Sequence, residues 1–224
     1  MKRTDTKYTI PVEALAPILK DLQNEYQVLE IKNRRVMHYS SVYFDTPAFK
    51  FYLDHHNGRI RRTKVRQRKY VDSELTFLEI KQKNGKGETK KSRVVIPDFE
   101  LELSEKSKEF ILKTTAKSVA LKPVLWNNFK RITLVSLQNN ERVTIDLELS
   151  YSMNAIEKKY ENLVIIEVKQ QRFNRKSLIV QTLKKHRYNP FSISKYCIGI
   201  VHLYQDLKYN LFKSKVLKIN KISL

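Results

Sequence analysis

Between residues 59 and 170 apolar and cationic residues alternate along a series of short segments, and this alternation constrains the fold more than any other feature of the chain. The order at 64–68 is Lys-Val-Arg-Gln-Arg; in 77–83, Leu78 and Ile80 lie between Glu79, Lys81 and Lys83; in 164–169, Val164, Ile166 and Val168 alternate with Glu167 and Lys169. Residues 142–149 interleave Arg142, Thr144, Asp146 and Glu148 with Val143, Ile145, Leu147 and Leu149. Successive strand side chains point to opposite faces. Each segment therefore reads as a strand with one oily and one charged side. The charged sides gather Arg62, Lys64, Arg66, Arg68, Lys81, Lys83, Arg93, Arg131, Arg142 and Lys169 on one surface, with Glu79, Asp146, Glu148 and Glu167 among them.

Strands are expected at 3–9, 35–45, 59–70, 75–83, 88–97, 122–136, 141–150 and 162–170, with hairpin turns at Asn84-Gly85-Lys86-Gly87 and Gln138-Asn139-Asn140. Helices are expected from Pro11 to Tyr26 with an interruption at Pro17, from the Thr46-Pro47 cap to Gly58, and near 104–118 and 175–187. A last one follows Lys195, where Ile200, Tyr204, Leu207 and Leu211 share a face at helical spacing. This is an α+β pattern, and its eight antiparallel strands most readily close into a barrel or tunnel. Two arrangements satisfy the alternation: a charged exterior around a greasy core, or a charged lumen with helices packed on the greasy outside. The helices need an apolar surface to pack on, which favours the second. The expected domain is single, spanning 1–212, with a solvated basic tail at 213–224 that carries Lys213, Lys215, Lys218 and Lys221.

With 44 basic and 23 acidic residues in 224, the net charge of +21 favours phosphate-rich partners: nucleic acid, polyphosphate, nucleotides or anionic lipid. Three cations at 64, 66 and 68 would stand about 6.5–7 Å apart on one strand face, close to the phosphate repeat of a chain, although an exposed basic strand gives the same pattern. Carboxylates in a basic lumen can hold Mg²⁺ or Mn²⁺ together with water and substrate phosphates. Glu167 is the first choice for that role; Asp146, Glu148 and Glu79 are further ligands, groups that orient ligands, or counter-ions. The five histidines lack zinc spacing, and neither a phosphate-binding glycine loop nor a serine-nucleophile elbow is present. Tyr39, Tyr43 and Tyr70 read as sheet fillers, and no specific nucleic acid is implied. Cys197 is alone, so a disulfide within the chain is excluded, and its apolar neighbours point to a buried thiol. No apolar run reaches the roughly 18 residues of a membrane span and no apolar signal core follows Met1, so a cytoplasmic protein is expected.

The motifs occur in a definite order. Arg3-x-Asp5-x-Lys7-Tyr8 is followed by Ser41-Val42-Tyr43-Phe44-Asp45-Thr46, KVRQR at 64–68, Leu78-Glu79-Ile80-Lys81 and Lys91-x-Arg93. Phe129-x-Arg131, Arg142-x-Thr144-x-Asp146, Ile166-Glu167-Val168-Lys169 and Ser194-Lys195-Tyr196 complete the series. In this order, over residues 1 to about 205, the chain resembles the VTC-type polyphosphate polymerase domain, a branch of the triphosphate tunnel metalloenzymes. The resemblance implies an eight-stranded tunnel, a divalent metal, and transfer of the ATP γ-phosphoryl group onto a growing polyphosphate chain.

By position, the resemblance gives Arg66, Arg68, Lys81, Arg93, Arg131 and Lys195 to phosphate, Lys7 to the lumen and Glu167 to the metal. Combined with the strand pattern, Arg66, Arg68, Lys81, Arg131 and Lys195 are the expected catalytic cations, and Lys7, Lys64, Lys83, Lys91, Arg93, Arg142 and Lys169 the expected phosphate-binding ones. Two departures stand out: Asp5 replaces a usual glutamate, and Phe129 a common tyrosine. The regulatory and membrane-spanning parts of the eukaryotic polymerases are missing, so a stand-alone bacterial-type domain is expected, with room for a membrane-protein partner at the inner face of the membrane. Water as acceptor would make the same site a tripolyphosphatase or nucleoside triphosphatase. A non-catalytic polyphosphate- or nucleic-acid-binding module is the remaining alternative.

Overall fold

In the computed structural model, which describes residues 4–223, the chain enters as strand β1 (Thr4–Pro11) and turns into helix α1 (Leu15–Leu22). The short β2 (Tyr26–Val28) and long β3 (Val36–Asp45) lead to α2 (Lys50–His56). A meander of β4 (Arg62–Tyr70), β5 (Leu75–Lys83) and β6 (Thr89–Ile96) follows, then α3 (Glu105–Thr115). The second half holds β7 (Lys122–Ser136), β8 (Arg142–Met153), β9 (Ile156–Tyr160), β10 (Leu163–Gln170), α4 (Leu178–Lys185), α5 (Lys195–Leu203) and α6 (Lys213–Ile222). Arg3, the first residue of the opening motif, lies outside the described residues.

One antiparallel sheet runs β1-β10-β8-β7-β3-β4-β5-β6, with β2 added on β7 and β9 on β8. The eight expected strands are this path. Strand β2 has only three residues, and Ile156-Glu157-Lys158-Lys159-Tyr160 in β9 shows no alternation, so neither announces itself in the sequence. Strands β1 and β6 are not hydrogen-bonded to each other among the described residues, so the sheet is rolled without being sealed. The roll is visible in what spans it. Lys7 Nζ of β1 donates to Ile193 O at 3.2 Å and Lys64 Nζ of β4 donates to Ser194 Oγ at 2.9 Å, so distant strands lean on one segment.

The oily strand faces are convex and carry helices. Leu15, Ile18 and Leu22 of α1 and Ile179 and Leu183 of α4 pack on Tyr8, Ile10, Val143, Ile145, Val164, Ile166 and Val168. Ile111 of α3 packs on Val42, Val65, Leu78 and Ile80. Each of these strand residues is essentially sealed from solvent, worth about 1.5–3 kcal/mol per large aliphatic side chain. The charged faces are therefore concave, the second of the two arrangements.

The concave side is not charged throughout. Helix α5 lies against it at one end, where Tyr196, Ile198 and Ile200 join Tyr43, Leu125, Leu149, Tyr151 and Ile165 in a third core. Gly199 permits the close approach: a Cβ there would stand 2.7 Å from Tyr151 Cδ1 and 2.8 Å from Leu125 Cδ1. Phe212 and Ile219 extend this core, so the lysine-rich stretch after residue 212 is a packed helix instead of a solvated tail; its apolar residues at helical spacing outweigh its charge. Two other expected helices are shorter than anticipated. Helix α1 starts at Leu15 after a 3-10 turn at Val12–Ala14, which leaves Pro17 in the first α-turn, where a missing N–H costs nothing. Helix α2 starts at Lys50 instead of after Pro47, because Phe49 takes a left-handed conformation (φ 53°) and Asp45 accepts from the amides of Phe51 and Tyr52, both at 2.9 Å.

Candidate active site

Register brings the charged residues together in rows. Lys64 on β4 faces Lys81 on β5 and, beyond it, Lys91 on β6; Arg66 faces Glu79, which faces Arg93; Arg68 faces Phe77. On the other wall Arg131 of β7 faces Asp146 of β8, and Glu167 of β10 lies between Thr144 and Lys7 of β1. The walls are close enough to interact: the Lys81 ammonium senses both Glu167 and Lys7.

Two arginine–carboxylate pairs anchor the floor. Arg66 donates to Glu79 Oε2 from Nε (2.8 Å) and Nη2 (2.6 Å), and from Nη1 to the Tyr43 hydroxyl oxygen (3.0 Å). Lys91 completes an ion pair with the other Glu79 oxygen. Arg131 grips Asp146 through Nε–Oδ1 at 2.5 Å and Nη2–Oδ2 at 2.8 Å, and Lys195 at the start of α5 pairs with the same carboxylate. Burial alone would raise both carboxyl pKa values. The surrounding cations overcome it, holding Glu79 down at about 2 and Asp146 well below the usual carboxylate range. The same pairing lifts the Arg66 and Arg131 guanidinium pKa values against the effect of burial. At Lys195 burial wins: desolvation, with Arg131 repelling, pulls the ammonium down to about 8 despite Asp146.

Other cations have no such partner. Arg68, 6% exposed, donates Nε–H to Ser41 Oγ at 3.0 Å and lies 5.4 Å from the ring centres of both Tyr39 and Phe129. Those rings stack in parallel, 5.1 Å apart, and Arg131 lies over the same pair. Among the described residues no carboxylate comes within ion-pair distance of Lys64, Arg68 or Lys81. Desolvation and the repulsion of Arg66 pull Arg68 down to about 10 and Lys81 to about 8, and desolvation lowers Lys64.

The remaining predicted residues separate into two groups. Lys7, Lys169 and Glu167 cluster: Lys169 Nζ is 3.1 Å and Lys7 Nζ 3.8 Å from the carboxylate, and Lys169 also donates to Thr144 Oγ1 at 2.8 Å. Burial would raise the Glu167 pKa, but Lys7 and Lys169 bring it down to about 2. Lys83 lies opposite Arg62 at the far end of its row. Arg93 is exposed with its guanidinium 4.7 Å from the Phe77 ring centre, and Arg142 is exposed opposite Lys169. Glu148 does not join the row. A bulge between Asn128 and Lys130 leaves it unpaired, at φ 50°, with its carboxylate out on the surface, 58% exposed and 2.7 Å from Lys130 Nζ. The strict alternation read over residues 142–149 holds as far as Leu147 and fails from Glu148 on, so that Leu149 joins the concave core instead of the convex one.

Sequence reasoning took Tyr39, Tyr43 and Tyr70 as fillers and gave Ser41 no role, although Tyr39, Ser41 and Tyr43 alternate on β3 directly opposite Tyr70, Arg68 and Arg66. It quoted Ser194 before Lys195 without a role and missed Ile193, whose backbone oxygen takes the Lys7 ammonium.

The VTC domain profile matches residues 2–204. The chain belongs to the VTC domain family. No curated protein matches it. Among solved structures, an adenylyl cyclase candidate from Hippeastrum with a dominant triphosphatase activity is similar at a TM-score of 0.58 and 15% identity, over 90% of this chain and 96% of that one. An adenylate cyclase candidate from Vibrio parahaemolyticus follows at 0.51 and 9%, over 87% and 96%. At such identities the likeness is one of fold, and this VTC domain has the fold of the triphosphate tunnel metalloenzymes.

That fold implies a divalent cation, and the carboxylates of this VTC domain admit one in a restricted way. Among the described residues no three Asp, Glu, His or Cys side chains converge on a point. The oxygens of Asp146 and Glu79 are taken by Arg131, Lys195, Arg66 and Lys91, and Glu148 faces outward, so the four acids expected from sequence do not form a cage. Of the three of these acids that face inward, Glu167 is the one held by lysines alone, which makes it the best fit to an ion among the four. A cation with one or two protein carboxylates, completed by water and substrate phosphates, is the common mode for Mg²⁺ and Mn²⁺. Among the described residues no helix is long and apolar enough to cross a membrane.

Proposed function

We propose that this VTC domain transfers the γ-phosphoryl group of ATP onto a growing inorganic polyphosphate chain. The observation that carries this reading is the unspent positive charge of the lumen. Lys64, Arg68 and Lys81 stand in register beside fixed Arg66 with no carboxylate of their own, which suits successive phosphoryl groups of a chain. Arg66 and Arg131, each locked by a carboxylate, are preorganised donors for the equatorial oxygens of a transferring phosphoryl group; such transfer needs alignment and charge neutralisation more than a covalent nucleophile. Lys195, at the N-terminus of α5, would meet the far end of the chain together with Lys7. A divalent ion at Glu167, Mn²⁺ or Mg²⁺, would neutralise phosphate charge when bound. A chain of this kind would work in the cytoplasm, with a membrane-protein partner as a recipient for polymer.

A second reading uses water as acceptor, giving triphosphate hydrolysis. Two observations favour it: the triphosphatase activity of the Hippeastrum neighbour, and α5, which fills one end of the barrel with apolar side chains and shortens the channel open to a polymer. Incubation with ATP and Mn²⁺ separates the two. Long polymer on a gel supports synthesis, orthophosphate without polymer supports hydrolysis, and metal-independent binding without turnover would overturn both. Arg66→Ala and Glu167→Ala should each abolish turnover.

A further inference from the structure

Tyr43 is a buried phenol that the reading above does not use. It is 4% exposed, its ring stacks on Tyr196 at 5.1 Å, and the Arg66 guanidinium carbon lies 5.8 Å from its ring centre. Its oxygen accepts Arg66 Nη1–H at 3.0 Å, and among the described residues nothing accepts a proton from it. A neutral phenol both donates and accepts, whereas a phenolate only accepts. The oxygen thus takes a hydrogen bond from Arg66, which Glu79 also holds, and lies beside Lys64 and Arg68, which have no carboxylate at ion-pair distance among the described residues.

We propose that Tyr43 is a positioning residue of the phosphate site: its oxygen holds Arg66 together with Glu79, serves in mildly alkaline solution as a counter-anion to the cations around it, and takes up a proton there when a phosphate chain replaces it as their partner. The proposal rests on the phosphate-binding reading of the tunnel. The charged and titratable groups facing the oxygen agree with it. From β4 come Lys64, Arg66 and Arg68; Lys81 lies beyond them on β5; Tyr151 on β8 and Tyr196 and Cys197 on α5 close the other side, with Asp45 further along its own strand accepting from Tyr196. Burial alone would raise the Tyr43 pKa, but Arg66, Arg68 and Lys64 bring it down to about 8. Burial pushes Tyr52, Tyr151, Tyr160 and Tyr196 the other way, so a phenolate in that range identifies itself. An arriving polyanion cancels the field of the three cations, and the phenolate then recovers a proton from solvent.

The test is a pH titration of the near-ultraviolet phenolate band of the full chain, with and without sodium tripolyphosphate, alongside Tyr43→Phe, which keeps the ring and its stack. One phenolate should appear near pH 8, vanish in Tyr43→Phe, and be reprotonated by tripolyphosphate. Above that pH the wild-type affinity for tripolyphosphate should fall more steeply than the variant's by about tenfold per pH unit, the slope of one coupled proton. The comparison removes the shared contributions of Lys81, Lys195 and the ligand. Absence of a low-pH phenolate in the wild-type titration, which needs no variant, would overturn the assignment, as would equal pH slopes in the two proteins. Tripolyphosphate binding to neither protein would refute the phosphate-binding reading instead.

Discussion

Replacing Asp146 by asparagine separates a structural counter-ion from a metal ligand. The carboxylate is 2% exposed, and the side chains it holds, Arg131 and Lys195, are 15% and 14% exposed. An amide of the same shape keeps one acceptor but turns an NH₂ toward a cation and leaves two charges out of water. Removing one partner of a buried pair costs about 3–5 kcal/mol. For a domain of this size that lowers the melting temperature by about 6–20 °C. The pH dependence carries a sign. Asp146 has a folded-state pKa held below its ordinary value, so its contribution is fully present above that value and is lost as pH falls through the folded one. The gap between wild type and Asp146→Asn should therefore be full at pH 7 and begin to close below about pH 4. Equilibrium urea unfolding across that range, checked by thermal melts, measures it. Tripolyphosphate at 100 times its dissociation constant should return about 2.7 kcal/mol to the variant by mass action. A variant that melts within about 2 °C of wild type at pH 7, equivalent to less than about 1 kcal/mol, would refute the counter-ion argument.

Arg68→Met should weaken tripolyphosphate binding at least about tenfold, while urea unfolding shows stability unchanged or higher, because it removes a buried charge that Arg66 repels and that Glu79 offsets only in part. Glu148→Gln should alter stability by less than about 0.5 kcal/mol and leave the metal response of activity untouched, since the residue sits in a surface pair. Lys81 and Lys195, both brought from the ordinary 10.5 down to about 8, are charged in the unfolded chain and lose protons first in the folded one. Between about pH 8 and 10.5 the protein should gain unfolding free energy and lose tripolyphosphate affinity together, checked by denaturant titration and calorimetry over the same buffers.

The sequence was most legible where one strand face was entirely apolar. Val164, Ile166 and Val168 and their partners leave no choice of face, and that places Glu167 and Asp146 on the charged side; the neighbour order β1-β10-β8, which sets Lys7 beside Glu167, is not recorded in the alternation. It was least legible where three-dimensional context overrides alternation. The bulge at Glu148 arises from a mismatch with β7 that no local pattern in β8 records. The apolar end of the lumen needs α5, whose Tyr196, Ile198 and Ile200 look like any buried helix until register shows Tyr43, Leu125 and Tyr151 beneath them. Charge pairing was hidden for a related reason. Glu79-x-Lys81 suggests a same-face pair along one strand, but Glu79 is taken across strands by Arg66 and Lys91, which frees Lys81.

That distribution of partners says what the lumen is for. Glu79 and Asp146 each hold one arginine in a bidentate or near-bidentate grip, which costs little flexibility on substrate arrival because the guanidinium orientation is already set. Arg68, Lys64 and Lys81 instead have their desolvation cost relieved only in part, by Glu79, Glu167 and Tyr43, and folding must offset the remainder with the apolar cores on the convex face. A chain selected for stability alone would set a carboxylate opposite Arg68, where register puts Phe77. Keeping the aromatic there leaves the local field uncancelled until a polyanion enters, so the free energy withheld from folding becomes available for binding.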